Sequence, residues 1–260
     1  MKKSILIVVL FFYANLSFSS VIVVNGLTHI YNGYSGNQIK GEIVLLNNSD
    51  VEQTVSFSLN DAIFSCTENR IFSSSQTHKN SSLNWFDGSL MNKTLSPKEK
   101  YTYQFVINIP KEETLRGTYW SILMLDVDKP IKKEKLSQNI GLNTKVRYAI
   151  SMLTNVNTFT EVNLDFLKIN LKKENNSKKL EIKIANQNVF IEGVKLLLEV
   201  YDADGKKVLE SDTARNMIFP GFCKDYNVDL TTLPKGSYEC LLVADSREKF
   251  VGTNVSLVID

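Results

Sequence analysis

The stretch that decides the fold is "LSPKEKYTYQFVINIPKEETLRGTYWSILML", residues 95–125. It opens on a Leu-Ser-Pro turn signal, alternates apolar and polar side chains as far as Pro110, and begins a second apolar run at Gly117. Strand side chains alternate between two faces with a period of two, whereas a helix needs apolar residues spaced by three and four. The stretch therefore predicts two β-strands separated by turns.

The same pattern continues on both sides of this stretch. In "TVSFSL", Val55, Phe57 and Leu59 share one strand face, and helical spacing is not sustained for two turns between residues 21 and 153. A chain of 260 residues is too long for one small sandwich. We therefore predict an all-β protein with two immunoglobulin-like β-sandwich domains in tandem. Their expected bounds are residues 20–153 and 164–260, with a linker at 154–163.

Two local signals support the second sandwich. Tyr238 lies two residues before Cys240 and follows "LPKG", which is the setting of a tyrosine corner at the start of a strand. The sequence "DADG", Asp202 to Gly205, predicts a hairpin turn with Gly205 in the left-handed region.

The first 19 residues have the layout of a secretory signal peptide. Lys2 and Lys3 precede the apolar run Ile5 to Tyr13, and small residues near Ser19 offer a cleavage site. The apolar run is too short to span a bilayer as a helix. We therefore expect an exported protein of the periplasm or cell surface of a bacterium, without a transmembrane anchor after cleavage.

Charge and motifs exclude several classes of function. Removal of residues 1–19 leaves equal numbers of acidic and basic residues, which gives no electrostatic basis for binding nucleic acid. The sequence has two histidines and lacks the GxSxG, HExxH and Gly-rich phosphate-loop motifs. We predict neither catalytic activity, nor a cofactor, nor a metal site.

Three cysteines leave the disulfide pattern open. Cys223 and Cys240 lie in the same half and can pair, which would leave Cys66 free. The spacing alone does not decide whether that bond forms.

Candidate contact residues lie mainly on the last strand of the first half, "NTKVRYAISML". Val146, Tyr148, Ile150 and Met152 share one face, and Lys145 and Arg147 lie on the other. If this is an edge strand, it can pair with a strand of a partner, and its basic residues can hold a carboxylate. The alternative is an ordinary strand with a core face and a solvent face.

The two tryptophans require separate interpretations. Trp85 lies in a long irregular stretch, where it serves either as a partner contact or as a cover for the sandwich. Trp120 lies in the apolar run "TYWSILML", and we expect it in the core.

The segments "GNQIKGEIVLLNNSDVEQTVSFSLND", "LSPKEKYTYQFVINIPKEETLRGTYWSILML" and "VRYAISM" together carry a family resemblance. Residues 21–153 resemble the N-terminal immunoglobulin-like domain of bacterial WxL-interacting proteins. More distantly, they are similar to the periplasmic pilus-assembly chaperones. The second half resembles only generic sandwich modules.

The two resemblances imply different functions. The WxL-type resemblance implies peptidoglycan binding by the first domain and partner binding by the second. The chaperone resemblance implies capping of an incomplete pilin subunit by the last strand of the first domain. It also implies an Arg and a Lys in the interdomain cleft that grip the subunit's terminal carboxylate; His29 falls near the Arg position, and Lys145 or Arg147 can stand for the Lys.

We therefore expect a non-catalytic binding protein of the bacterial cell envelope that binds cell wall or a surface-protein partner. The alternative is a periplasmic chaperone of pilus or fimbrial subunits that acts by β-strand donation. The predicted contact residues are His29, Trp85, Lys145, Arg147, Tyr148 and Ile150.

Overall fold

The computed structural model describes residues 21–66, 70–128, 145–174 and 177–259. The predicted signal peptide, residues 1–19, lies outside them. Within these ranges the chain forms 18 β-strands and one short 3-10 helix, Leu83–Trp85. The all-β prediction is confirmed. None of the helices in the described ranges is long and apolar enough to cross a membrane.

The first domain is a sandwich of two sheets. One sheet has the order β1 (Val21–Val23), β3 (Gln38–Asn47), β8 (Lys100–Asn108) and β6 (Phe86–Asp87). The other has the order β2 (Thr28–Gly33), β10 (Val146–Val156), β9 (Gly117–Asp128), β4 (Gln53–Ile63) and β5 (Ile71–Ser73), with β7 (Lys93–Leu95) also paired to β4.

Period-two alternation builds the core of this domain. Val55 and Phe57 of β4 are buried and Leu59 packs against them from the same face, as the sequence predicts. Phe57 stacks on Tyr103 of β8, with ring centroids 4.3 Å apart. The apolar faces of the two sheets therefore meet in one hydrophobic core.

The N-terminal segment belongs to both sheets. β1 pairs antiparallel with β3 in the first sheet, and β2 pairs parallel with β10 in the second. The second strand and the last strand of the domain are thus neighbours in the second sheet.

The second domain is also a two-sheet sandwich. Its smaller sheet has the order β11 (Leu164–Glu174), β12 (Ser177–Asn186) and β16 (Cys223–Asp229). Its larger sheet has the order β14 (Lys207–Asp212), β13 (Glu192–Tyr201), β17 (Gly236–Ser246) and β18 (Lys249–Ile259), with β15 (Asn216–Ile218) paired to β13.

Both local signals of the second half have their expected structure. The hydroxyl of buried Tyr238 donates a hydrogen bond to the carbonyl of Pro234 at 3.0 Å, which closes the predicted tyrosine corner. Gly205 has φ +75° in the turn between β13 and β14. Asp202 stabilises that turn because its carboxylate accepts bonds from two backbone amides that follow it.

The connection between the domains is shorter than predicted. β10 continues through Val156, because residues 154–156 pair with both β9 and β2, so the connection covers residues 157–163. Arg247 fixes it to the second domain by donating a hydrogen bond to the carbonyl of Thr160 at 3.1 Å. The same guanidinium forms an ion pair with the fully buried Glu192.

The first residues of β9 are in direct contact with the second domain. The backbone amide of Thr118 donates to the carbonyl of Val189 at 2.9 Å. The amide of Ile191 donates to the Thr118 hydroxyl at 2.8 Å. Gly117 adopts φ +120°, and a Cβ atom there would lie 2.4 Å from the Val189 carbonyl oxygen. This close approach requires a glycine.

We expect Gly117→Ala to lower the free energy of unfolding by about 2–3 kcal/mol, through backbone strain and a clash at the domain junction. Gly205→Ala is the matched control, because Gly205 also has positive φ but its Cβ would meet open space. It should cost about 1 kcal/mol. Urea unfolding of both variants measures the difference, and equal losses would rule out a contribution from the junction.

The disulfide differs from the pairing considered for the sequence. Cys66 pairs with Cys223, with their Cα atoms 5.1 Å apart, and Cys240 is a free, buried thiol. Cys223 is therefore not available to Cys240, and the bond between these two cysteines does not form. The bond that does form joins the two domains covalently.

Candidate functional site: a strand edge and an interdomain cleft

β10 has an open edge over part of its length. β9 pairs with β10 from Val146 to Val156, whereas β2 pairs with it only from Ser151 to Val156. Residues 146–150 therefore lack a neighbouring strand on one side among the described residues; we call them the open edge. Unpaired backbone groups in such a segment can accept an additional strand.

One face of the open edge belongs to the core. Ile150 is fully buried, and Val146 and Tyr148 pack against the same core while remaining half-buried. The Tyr148 hydroxyl donates to the Val21 carbonyl at 2.7 Å and so bridges β10 and β1. The prediction of Ile150 as a contact residue is therefore corrected, because its side chain fills the sandwich and is inaccessible to a partner. Tyr148 and Val146 remain reachable from the edge.

The two basic residues beside the edge already have acidic partners. Arg147 forms a bidentate salt bridge with Asp126 on β9, with N–O distances of 2.5 and 2.8 Å. The hydrogen bond from Arg147 lowers the pKa of Asp126 below its usual value. Lys145 lies 3.1 Å from Asp128. Both cations therefore have an acidic neighbour on β9, and their predicted role in holding a partner's carboxylate stays a prediction.

His29 does not join these cations. It lies opposite Met152 in the parallel pairing of β2 with β10, so it shares the inner face of the sheet with Met152. Arg147 is five residues earlier on β10, about 17 Å along the strand, and faces the other side. His29 instead lies 3.1 Å from the carbonyl oxygen of Gly26. The predicted grouping of His29 with Lys145 or Arg147 is therefore not formed.

Both tryptophans are buried, in different places. Trp85 has 7% of its surface exposed and packs on Tyr119 in the first-domain core, which corrects its assignment as a contact residue. Trp120 is buried as expected, but on the outer face of the sheet. There its ring lies 4.8 Å from that of Phe219 of the second domain, and its indole N–H donates to the Ala62 carbonyl.

Beside this aromatic contact, a cleft of about 690 Å³ opens between the domains. Thr28 and Ser151, which are opposite each other in β2 and β10, contribute to one wall. The other described lining residues are Phe64, Ser65, Arg70, Phe72, Ile122, Leu153, Asn216, Met217, Ile218, Phe219, Phe222, Cys223 and Lys224. The cleft is therefore built from both domains.

Two basic side chains make this cleft positively charged. Arg70 comes from the first domain, where its guanidinium lies 5.5 Å from the centre of the Phe64 ring, and Lys224 comes from β16. Neither has an ion-pair partner among the described residues, and none of the described lining residues is acidic. The cleft is suited to an anionic group.

The disulfide holds the segments that carry these cations. Cys66 precedes Arg70 by four residues, and Cys223 is the immediate neighbour of Lys224. Sequence reasoning missed both cations, because they are far apart in the chain and belong to no motif. In the sequence, the one feature that both cations share is a nearby cysteine. That feature is informative only once the pairing of Cys66 with Cys223 is known.

A histidine, a carboxylate and a serine also meet in the first domain. Asp61 is fully buried and accepts a hydrogen bond from the Ser81 hydroxyl at 2.8 Å. His78 lies 3.3 Å from the same carboxylate and stacks on Trp120. Burial lowers the pKa of His78 below its usual value. The serine donates to the acid and not to the imidazole, so the group lacks the base–nucleophile bond that serine catalysis needs.

Comparisons with known proteins find similarity at the level of structure alone. No protein-family model matches the chain, and no curated protein matches it. The fold is similar to that of the class 5 fimbriae chaperone CfaA, at 14% identity and a TM-score of 0.50, over 92% of this chain and 100% of CfaA.

The chain is also similar to two further solved structures. One belongs to a chaperone–tip adhesin complex of CFA/I fimbriae biogenesis, at 11% identity and a TM-score of 0.50, over 92% of this chain and 98% of the other. The E. coli chaperone DraB gives 14% identity and a TM-score of 0.44, over 92% and 98%. At these identities the similarity concerns the fold: two immunoglobulin-like domains, as in fimbrial chaperones. It supports the chaperone resemblance of the first half and not the WxL-interacting one.

Proposed function

We propose that this chain is an exported, non-catalytic chaperone of the bacterial periplasm that holds a subunit of a surface structure. The observation that carries the proposal is the open edge of β10. A strand of the subunit would pair with residues 146–150 and continue the sheet past β10, as in other cases of β-strand addition. The fold similarity to fimbrial chaperones favours this function over cell-wall binding.

Apolar side chains around the open edge support this mode of binding. Ile22, Val24 and Leu27 are exposed on the N-terminal segment that passes beside it. The amide of Ser151 bonds to the Leu27 carbonyl at 2.8 Å, so Leu27 lies where the open edge ends. A strand that bonds to β10 would also contact Leu27, which adds apolar burial to the backbone hydrogen bonds.

The interdomain cleft supplies a second contact in this proposal. Arg70 and Lys224 would hold a carboxylate of the same subunit, either its chain terminus or an acidic side chain. They take the role that the chaperone resemblance gave to His29 and Lys145 or Arg147. Wall binding was expected from the resemblance to WxL-interacting proteins, and Trp85, one of the predicted contact residues, is buried.

We expect a photo-crosslinking residue at position 147 to capture a small surface subunit in the envelope of the native bacterium. Arg147 suits this test because 62% of its side chain is exposed beside the open edge. The matched control is the same residue at Asn170, which is exposed on β11 of the second domain. Mass spectrometry of the crosslinked bands identifies the partner.

A single subunit enriched at position 147 over position 170 would support the proposal. Equal labelling at both positions would contradict pairing at β10. Co-sedimentation of the protein with purified peptidoglycan, without a captured subunit, would restore the wall-binding interpretation.

A further inference from the structure

Most of the edge strands of this protein have features that prevent pairing with another chain. In the first domain, β1, β5 and β6 are only two or three residues long, and β2, the remaining edge strand, has six residues. In the second domain, β14 and β16 carry charged side chains, and β11 combines several lysines with a break in register after Phe166. Short length, charge and irregularity are the usual ways in which an edge avoids pairing with another chain.

β18 has none of these protections. It is 11 residues long, and only β17 pairs with it among the described residues. Its one charged residue is Lys249, at its first position, and the following segment "FVGTNVSLVI" contains neither charge nor proline. Its pairing with β17 runs without a register shift from end to end. A long, regular and uncharged edge is a template for another strand.

The sequence of β18 is complementary to itself. If two copies pair antiparallel over all 11 residues, the midpoint, Asn254, lies opposite Asn254 of the second copy. Phe250 then lies opposite Val258 of the second copy, on the solvent face of the sheet. These two side chains are 68% and 61% exposed, respectively. Aromatic and β-branched residues form favourable cross-strand pairs.

The remaining pairs on that face cause no conflict. Gly252 lies opposite Ser256 of the second copy, and both residues are small and exposed. In this register, a Phe250 of one copy meets a Val258 of the other at each end of the paired strands. All four of these exposed apolar side chains are therefore covered. No like charges are brought together within the segment from Phe250 to Ile259.

We propose that two copies of this chain associate through β18, so that their larger second-domain sheets form one continuous antiparallel sheet across a two-fold axis. The surface is separate from the open edge of β10 and from the cleft, neither of which β18 lines. The association is therefore independent of subunit binding.

Sedimentation velocity of the full mature chain, between about 1 µM and 1 mM, tests this association. We expect a monomer–dimer equilibrium in that range. Asn254→Lys and Asn254→Asp each place like charges opposite each other at the two-fold axis, and each should weaken the dimer at least about tenfold. An equimolar mixture of the two variants should restore it, because opposite charges then meet.

The control variant is Asn170→Lys, which adds the same charge to β11, the other long edge of this domain. It should leave the association unchanged. A wild-type protein that stays monomeric at 1 mM would overturn the proposal. A dimer that persists in Asn254→Lys, or a mixture that fails to restore it, would also overturn it.

Discussion

Replacing Cys66 and Cys223 with serine is expected to lower the free energy of unfolding by about 3–5 kcal/mol. The bond closes a loop with a sequence separation of 157 residues, and the entropy removed from the unfolded chain grows with the length of the closed loop. It also ties the domains together beside the cleft. Loss of the bond should therefore reduce stability and loosen the domain junction as well.

Denaturant unfolding of the oxidised protein and the double variant measures the loss. The second readout is small-angle scattering, which should report a broader distribution of interdomain angles in the variant. Cys240→Ala is the control, because it removes the third cysteine and keeps the disulfide. A double variant within about 1 kcal/mol of the wild type would contradict an entropic role for the bond.

Thiol labelling verifies the pairing before these measurements. Burial raises the pKa of Cys240 to about 11, and its side chain lies in the second-domain core. The thiolate is the reactive form of cysteine. The native wild type should therefore resist alkylation near neutral pH, and the unfolded, unreduced protein should take up a single label.

Reversing the charge of the cleft is expected to weaken capture of the surface subunit about 100-fold, or about 2.7 kcal/mol. The variant is Arg70→Glu combined with Lys224→Glu. In the proposed complex both cations face a carboxylate in a partly desolvated cleft, and the substitutions would place like charges there. The measurement is the Kd for the subunit identified by crosslinking at position 147.

The matched control is Lys111→Glu combined with Lys235→Glu. Both lysines are exposed, neither lines the cleft, and the net charge changes by the same amount. If both double variants bind equally well, the cleft is not the anion site. Strand pairing at β10 would survive that result, because crosslinking at position 147 tests it separately.

The alternation of apolar and polar residues predicted the strands well, because this pattern depends only on residues that are close in the sequence. The strands of residues 95–125, the shared face of Val55, Phe57 and Leu59, and the turn at Gly205 all follow from local pattern. The buried position of Trp120 was also predictable from its apolar run. Its contact with Phe219 was not, since that depends on how the two domains meet.

The candidate site was predictable only in part. The sequence identified residues 145–152 as a strand whose side chains alternate between two faces, and residues 146–150 of β10 form the open edge. It did not show that Asp126 and Asp128 on β9 neutralise Arg147 and Lys145, because strand pairing brings those residues together over a long separation in sequence. Arg70 and Lys224 of the cleft were not predicted for the same reason, because they are far apart in the sequence and meet only in the folded chain.

The pairing of β2 with β10 also has a kinetic consequence. These strands come from opposite ends of the first domain; Asn32 and Asn155, which are bonded through their side chains, are 123 residues apart. Contacts of such long separation slow folding, because the chain must close a large loop before the contact forms. The sheet that carries the open edge therefore cannot be completed until residue 156 is available. The pairing of β2 with β10, which ends the open edge at Ser151, would therefore be among the last contacts of the domain to form.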